Sequence, residues 1–212
     1  MQTLKIGSKG NDVRTLQRIL NLYADGIFGE ITKEAVKKFQ SENGLWADGI
    51  VGPKTWAKLI TTNNGSLNLK KTTRSIKEII LHCSATPEGK KYSVADIKKW
   101  HKQRGFSDIG YHYVIYLDGS VNEGRNINII GSHCAGRNTG SIGICYVGGL
   151  DSSGKKAKDT RTPEQKSALV KLVKELMSMY NLTVNNVHCH YEYANKACPS
   201  FKIEDFRKEL LA

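Results

Sequence analysis

Proline is scarce in this 212-residue chain, at four residues, and no stretch approaches the ~18 uninterrupted apolar residues of a membrane-spanning helix. With 20 glycines and no period to them, the composition also excludes a collagen-like or low-complexity chain. Acidic residues are in deficit, 20 Asp plus Glu against 32 Lys plus Arg, which leaves a net charge of +12. Cysteine is present in an odd number, at positions 83, 134, 145, 189 and 198, so the five cannot all pair. The opening Met-Gln-Thr-Leu-Lys lacks the apolar core of a signal peptide. The expectation is therefore synthesis in the cytoplasm, with free thiols rather than a disulfide framework. Cys83 and Cys145 sit in apolar strand-like runs and read as small buried hydrophobes. A hydrophobic fraction of 39%, with three Trp, nine Tyr and five Phe, is too apolar for a disordered chain and points to one or two folded domains.

The positive charge implies an anionic partner: a nucleic acid, an acidic membrane surface or an anionic wall polymer. Residues 1–62 carry +3 of it and residues 63–212 carry +9, spread as pairs such as Lys70/Lys71, Lys98/Lys99 and Lys155/Lys156. These pairs mostly lack the interleaved aromatics of a surface that stacks nucleobases, so no specific nucleic-acid partner is expected. What remains is weak electrostatic contact with an anionic membrane or wall surface.

An internal repeat stands out near the start. Ala24-Asp25-Gly26-Ile27-Phe28-Gly29 recurs 23 residues later as Ala47-Asp48-Gly49-Ile50-Val51-Gly52. Each Asp-Gly pair marks a tight turn, and each turn leads into a helical pattern, through Ala35, Val36 and Phe39 in the first copy and Trp56, Leu59 and Ile60 in the second. Pro53 suits a first helical position. A preceding helix, capped by Asn11 or Asp12, places Val13, Leu16, Ile19 and Leu20 inward. Residues 1–62 thus read as a three-helix domain. The combination of Gly10-Asn11-Asp12-Val13, Leu16-Gln17, the doubled Asp-Gly-Ile turns and Phe39-Gln40 resembles the peptidoglycan-binding module carried by many cell-wall hydrolases, which implies a tethering role without catalysis.

Residues 63–73 are small and polar and read as a linker. Residues 74–212 alternate strand and helix patterns. Residues 76–81, 111–117 and 141–147 read as strands. Residues 93–104 form a helix with a Ser93/Asp96 capping pair, Thr162-Pro163-Glu164-Gln165 opens a long amphipathic helix, and Ile203, Phe206 and Leu210 mark a last short one. The expected architecture is an α/β domain, a central mixed sheet flanked by helices, behind a small all-α domain.

Metal-type side chains gather in two places: His82 at a strand end, and His188, His190 and Cys198 near the C-terminus. Two imidazoles and one thiolate would hold zinc with a fourth position left for water, although neither a paired CxxC nor an HExxH motif is present. The segments His82-Cys83-Ser84-Ala85-Thr86, Gly110-Tyr111-His112-Tyr113, Gly131-Ser132-His133, Ser141-Ile142-Gly143-Ile144 and Lys196-Ala197-Cys198-Pro199-Ser200 follow one another in the order seen in zinc-dependent N-acetylmuramoyl-L-alanine amidases. That family includes the amidase-type phage lysozymes and is related to the peptidoglycan recognition proteins. The resemblance covers about residues 74–207. It implies one catalytic Zn²⁺ on His82, His190 and Cys198, with Tyr111 and Lys196 as catalytic residues. His188 is a reserve ligand, because a period-two backbone would put it on the same side as His190, with Cys189 turned into the core. His112 should face away from Tyr111, and His133 and Asn138 read as substrate-groove residues in a Gly-rich loop.

The function implied is hydrolysis of the amide between N-acetylmuramic acid and L-alanine, with peptidoglycan as partner and a monomer as the working form. Binder first, amidase second and no signal peptide resembles endolysins of phages that infect Gram-negative hosts. Such a protein is made in the host cytoplasm and reaches the wall after another protein opens the membrane. A bacterial autolysin would share this chemistry. A non-catalytic recognition protein would lack the metal cysteine, and a glycosidase would need two carboxylates that the segments around 82, 111 and 196 do not supply.

Overall fold

The computed structural model describes residues 2–20, 22–63, 67 and 69–211, apart from the side chains of Arg18 and residues 60–63. The Ile60 side chain of the expected apolar stripe, and residues 64–66 and 68 of the expected linker, lie outside the described residues. The chain divides into two compact units, Met1–Asn68 and Leu69–Ala212.

The first unit holds helices α1 (Asn11–Ile19), α2 (Glu30–Glu42) and α3 (Pro53–Asn63). Their inward residues Val13, Leu16, Val36, Trp56 and Leu59 meet Leu4, Phe28 and Val51 in one core. α1 begins at Asn11 itself, so neither Asn11 nor Asp12 stands ahead of it as a cap; the Gly10 carbonyl accepts from the Arg14 N–H. The repeat has a structural cause. Gln17 Nε2 donates to Asp25 Oδ1 at 2.7 Å, to the Ile27 carbonyl at 3.0 Å and to Thr32 Oγ1 at 3.1 Å, while its Oε1 accepts from the Gly26 N–H at 2.9 Å. Gln40 repeats all four bonds one copy later, to Asp48 at 2.8 Å, Ile50 at 2.9 Å, Thr55 at 3.2 Å and the Gly49 N–H at 2.9 Å. Each buried glutamine therefore fastens the following Asp-Gly turn, and glycine at the turn supplies a positive φ, 81° at Gly26 and 74° at Gly49.

In the second unit the main sheet consists of β1 (Glu78–Cys83), β3 (Tyr113–Ile115), β4 (Val121–Glu123), β5 (Ser141–Tyr146) and β7 (Val187–Cys189), in the order β4-β3-β5-β1-β7. β1 runs parallel to β5 and β7, β3 runs parallel to β5, and β4 is antiparallel to β3, so the sheet is mixed. Two short strands, β2 (Thr86–Pro87) and β6 (Gly149–Leu150), pair beside it. β1 and β5 are buried throughout, which explains their near-continuous apolar sequence. Helices α4 (Val94–Gln103), α5 (Pro163–Tyr180) and α6 (Ile203–Leu211) flank the sheet. Ser93 with Asp96, and Thr162 with Gln165, form the expected capping boxes. Gln165 also reaches from α5 to the carbonyls of Ile115 and Val147. Residues 70–73 pack within this unit: Lys70 pairs with Glu123, and the buried Thr72 donates its N–H to the Tyr180 hydroxyl at 2.9 Å. Among the described residues no helix is long and apolar enough to cross a membrane.

Candidate functional site

Parallel pairing brings the C-terminal ends of β1, β5 and β7 to one edge of the sheet, where α/β proteins generally place their chemistry. β1 extends to Cys83, so His82 is its penultimate residue rather than the residue after its end. Leu81 is in register with Cys189 on β7, so His82 and His190 each follow a paired position on neighbouring strands. Their ring centroids are 4.5 Å apart. The chain then turns through residues 190–192, and the Tyr191 N–H donates to the Cys198 carbonyl at 2.9 Å, which draws the Cys198 segment back to the strand ends. Cys198 Sγ lies 3.8 Å from His82 Nδ1 and accepts the Cys83 backbone N–H at 3.2 Å. Among the described residues, His82, His190 and Cys198 form a group whose donor atoms all lie within 4.8 Å of one another.

The electrostatics suit electron-pair donors. Burial, then the neighbouring His133, His190 and Lys196, hold the His82 pKa well below its usual value; burial and then Lys196 lower that of His190. Both imidazoles are neutral at pH 7, with a lone pair to offer. The Cys83 side chain, and then burial, raise the Cys198 pKa, while the Cys83 backbone N–H opposes them by favouring the thiolate. The Tyr111 ring is 5.0 Å from that of His82. Burial, then the thiols of Cys145, Cys198 and Cys83, push its hydroxyl pKa well above 10, so it keeps its proton. Lys196 is exposed, yet its charge is felt at both imidazoles.

Several sequence expectations change. His188 is not part of the cluster. β7 ends at Cys189 and His190 starts the turn, so the two-residue alternation stops between them; His188 Nδ1 faces Glu192 at 3.3 Å and its Nε2 lies 4.0 Å from Glu78. His133 is not a groove residue. It is 8% exposed, and its Nδ1 lies 3.1 Å from His82 Nε2. Asn138 is spent on the backbone, its Oδ1 accepting the N–H groups of His133 and Cys134 at 2.9 Å. His112, expected only to face away from Tyr111, is buried: its Nδ1 accepts the Gly143 N–H, and its Nε2 lies 3.0 Å from the Ile129 carbonyl. One buried residue had no signal in the sequence, His101 on α4, which accepts the Gly110 N–H at 2.9 Å and lies 5.2 Å, ring to ring, from Tyr111. All five cysteines are free, four of them buried.

A mixed-sheet α/β domain with two imidazoles and a thiol grouped at its strand ends, and a phenol beside them, defines a class, the α/β proteins that can hold a metal at such an edge. The chain belongs to the N-acetylmuramoyl-L-alanine amidase family, whose model matches residues 72–201; a second model, described as "Putative peptidoglycan binding domain", matches residues 9–59. The chain is similar to the endolysin of Escherichia phage T7, with 42% identity over 134 residues, 63% of this chain and 87% of the relative. The endolysin of Enterobacteria phage K11 is 40% identical over 131 residues, 62% of this chain and 85% of that one. Among solved structures, the N-acetylmuramoyl-L-alanine amidase LysC from Clostridium intestinale URNW superposes with a TM-score of 0.56 at 29% identity, covering 69% of this chain and 95% of its own. The protein is a peptidoglycan hydrolase that cleaves the amide between N-acetylmuramic acid and the L-alanine of the stem peptide.

Proposed function

We propose that the protein is a zinc-dependent endolysin, made in the cytoplasm of an infected host and acting on the wall once the membrane is opened. The observation that carries the metal is the donor set: two neutral imidazoles and a thiol within 4.8 Å. Two nitrogens, one sulfur and a free fourth position are what catalytic zinc takes, whereas magnesium and calcium prefer oxygen. Held there, Zn²⁺ supplies Lewis acidity and brings the pKa of water from 15.7 toward ~7. The remaining work falls to the chain. Lys196 stabilises the negative charge that develops on the scissile carbonyl oxygen as water adds to the carbon. Tyr111, protonated at neutral pH, donates a hydrogen bond to the reacting water or its product, and positions the proton that the leaving amine of L-alanine must gain as the C–N bond breaks.

The first unit holds the enzyme on its polymer and raises the local substrate concentration. Support comes from two aromatics at equivalent places in the repeat, Tyr23 and Trp46, which are 90% and 86% exposed. Large rings so open to water suit a surface that meets a ligand.

The test uses purified protein on purified peptidoglycan, following free α-amino groups and reducing sugar ends together, before and after chelation and zinc replacement. Amino groups should form without reducing ends, and chelation should abolish the activity that zinc restores. Activity that survives exhaustive chelation rejects the zinc reading. In the same preparation the Tyr23→Ala/Trp46→Ala variant should sediment less with the wall while still cleaving a soluble muramyl peptide; unchanged sedimentation rejects the aromatic surface.

A further inference from the structure

Of the buried imidazoles that this chemistry leaves unused, His101, His112 and His133, it is His133 that lies within hydrogen-bond reach of a proposed ligand. Its Nδ1 faces His82 Nε2 at 3.1 Å, its Nε2 faces Ser141 Oγ at 3.3 Å, and its ring stands edge-on to that of His82 with the centroids 5.0 Å apart. The space it occupies depends on two glycines. A Cβ on Gly143, in β5, would fall well inside van der Waals contact of His133 Cγ and Cδ2, and one on Gly131 would strike Cδ2 as well as the His112 ring. Neither glycine has a positive φ, so the backbone does not demand glycine at these places. The ring does.

The hydrogen-bond pattern admits one proton assignment once His82 serves a cation. Its Nδ1 faces Cys198 Sγ, and a cation there takes the Nδ1 lone pair, so the proton of the neutral ring sits on Nε2. His133 Nδ1 must then accept that proton's hydrogen bond. A neutral His133 carries its own proton on Nε2, where Ser141 Oγ accepts it. We propose that His133, seated on Gly131 and Gly143, is a positioning residue that fixes the tautomer and ring orientation of His82 for the metal. The inference rests on the reading of His82, His190 and Cys198 as zinc ligands. Removing such an outer partner typically costs about 10–100-fold in metal affinity.

Leu and Asn place the same two branches on Cγ and differ in whether one of them can accept a hydrogen bond where His133 Nδ1 stood. The experiment compares full-length wild type, His133→Leu, His133→Asn and Gly143→Ala by zinc competition with a chromogenic chelator, together with thermal unfolding in excess chelator. His133→Leu should weaken zinc binding by about 10–100-fold without a matching loss of metal-free stability. His133→Asn should recover most of the loss. Gly143→Ala, whose methyl displaces the ring, should weaken zinc although every polar group remains; should the Leu variant fail to fold, this variant and His133→Asn decide. Wild-type affinity in His133→Leu or in Gly143→Ala, or equal weakening by Leu and Asn, overturns the proposal. A Cys198→Ser control separates the two levels: zinc binding unchanged in that variant rejects the ligand assignment itself, whatever His133 does.

Discussion

Lys196 and Tyr111 meet solvent differently, and that separates what each contributes. Lys196 is exposed, and in the proposed mechanism it would act through charge; Tyr111 is half-buried with a hydroxyl that holds its proton far above neutrality. Neither belongs to the donor group of His82, His190 and Cys198. If the proposed mechanism holds, Lys196→Ala should lower kcat by about 10²–10³-fold, and Tyr111→Phe by about 10²–10⁴-fold, while zinc bound at the proposed site, measured by atomic absorption, stays as in wild type. Loss of zinc in either variant would move that residue into the metal site, and an unchanged kcat would remove it from the reaction. At this scale the sequence was legible wherever a residue type is rare and its place in a motif is fixed, as with Cys198 in Ala197-Cys198-Pro199. It was illegible for His133 and His188, because burial and strand termination decide which way an imidazole points. The two-residue alternation that favoured His188 holds only while β7 lasts, and β7 stops at Cys189.

Among the elements, the doubled turn shows how a short sequence signal becomes architecture. The Asp-Gly-Ile turns and both capping boxes follow from local chemistry and lie where the sequence puts them, whereas α1 starts at Asn11 itself, one of the two residues expected to cap it. The role of Gln17 and Gln40 does not follow locally, since each reaches a turn eight to ten residues on and a threonine fifteen residues on. Both glutamines are nearly fully buried, at 2% and 1% exposure. Truncation leaves a buried glycine N–H, a carbonyl and a threonine hydroxyl with one partner fewer, and unmet groups of this kind cost about 1–3 kcal/mol each when water cannot reach them. Gln17→Ala and Gln40→Ala should each destabilise the first unit by about 2–4 kcal/mol, and by similar amounts because their bonds match. Gln→Glu at either place should be worse, since it sets a second carboxylate against Asp25 or Asp48. Calorimetric unfolding checks this; a silent alanine variant at one position would mean that the repeat is symmetric in sequence but not in energetics. Strand limits were the least legible part: tertiary pairing carries β1 two residues beyond the apolar run to Cys83 and shortens β3 to three residues.

The molecule as a whole concentrates buried, neutral histidines in its second unit, and this sets how its stability responds to acid. His82, His101, His112 and His133 are all buried with pKa values below the usual 6.5. For His112 the value is pulled to about 4, first by burial and then by Arg74 and Arg125, against the Ile129 carbonyl. Above pH ~6.5 the histidines are neutral in folded and unfolded chain alike and contribute no pH dependence. Below it the unfolded chain takes up protons that the folded one refuses, so stability falls as pH falls, until the folded pKa is reached. For His112 alone the interval corresponds to about 3 kcal/mol, at one pKa unit to ~1.4 kcal/mol, and about 2 kcal/mol of it is lost by pH ~5. The depressed carboxylates, Asp25, Asp96, Asp108, Asp151 and Asp159, have pKa values below 3.8 and act at lower pH, so the window from ~6.5 to ~5 belongs to histidine. Denaturant midpoints taken across that window, in excess chelator so that metal release does not mix in, should fall steadily with acid. His112→Asn keeps an acceptor for the Gly143 N–H in place of Nδ1; its stability should start lower and lose less on acidification. A wild-type midpoint that stays flat from neutral to pH ~5 would mean that these imidazoles accept protons in the folded state, and that the interior around the strand ends is wetter than its burial implies.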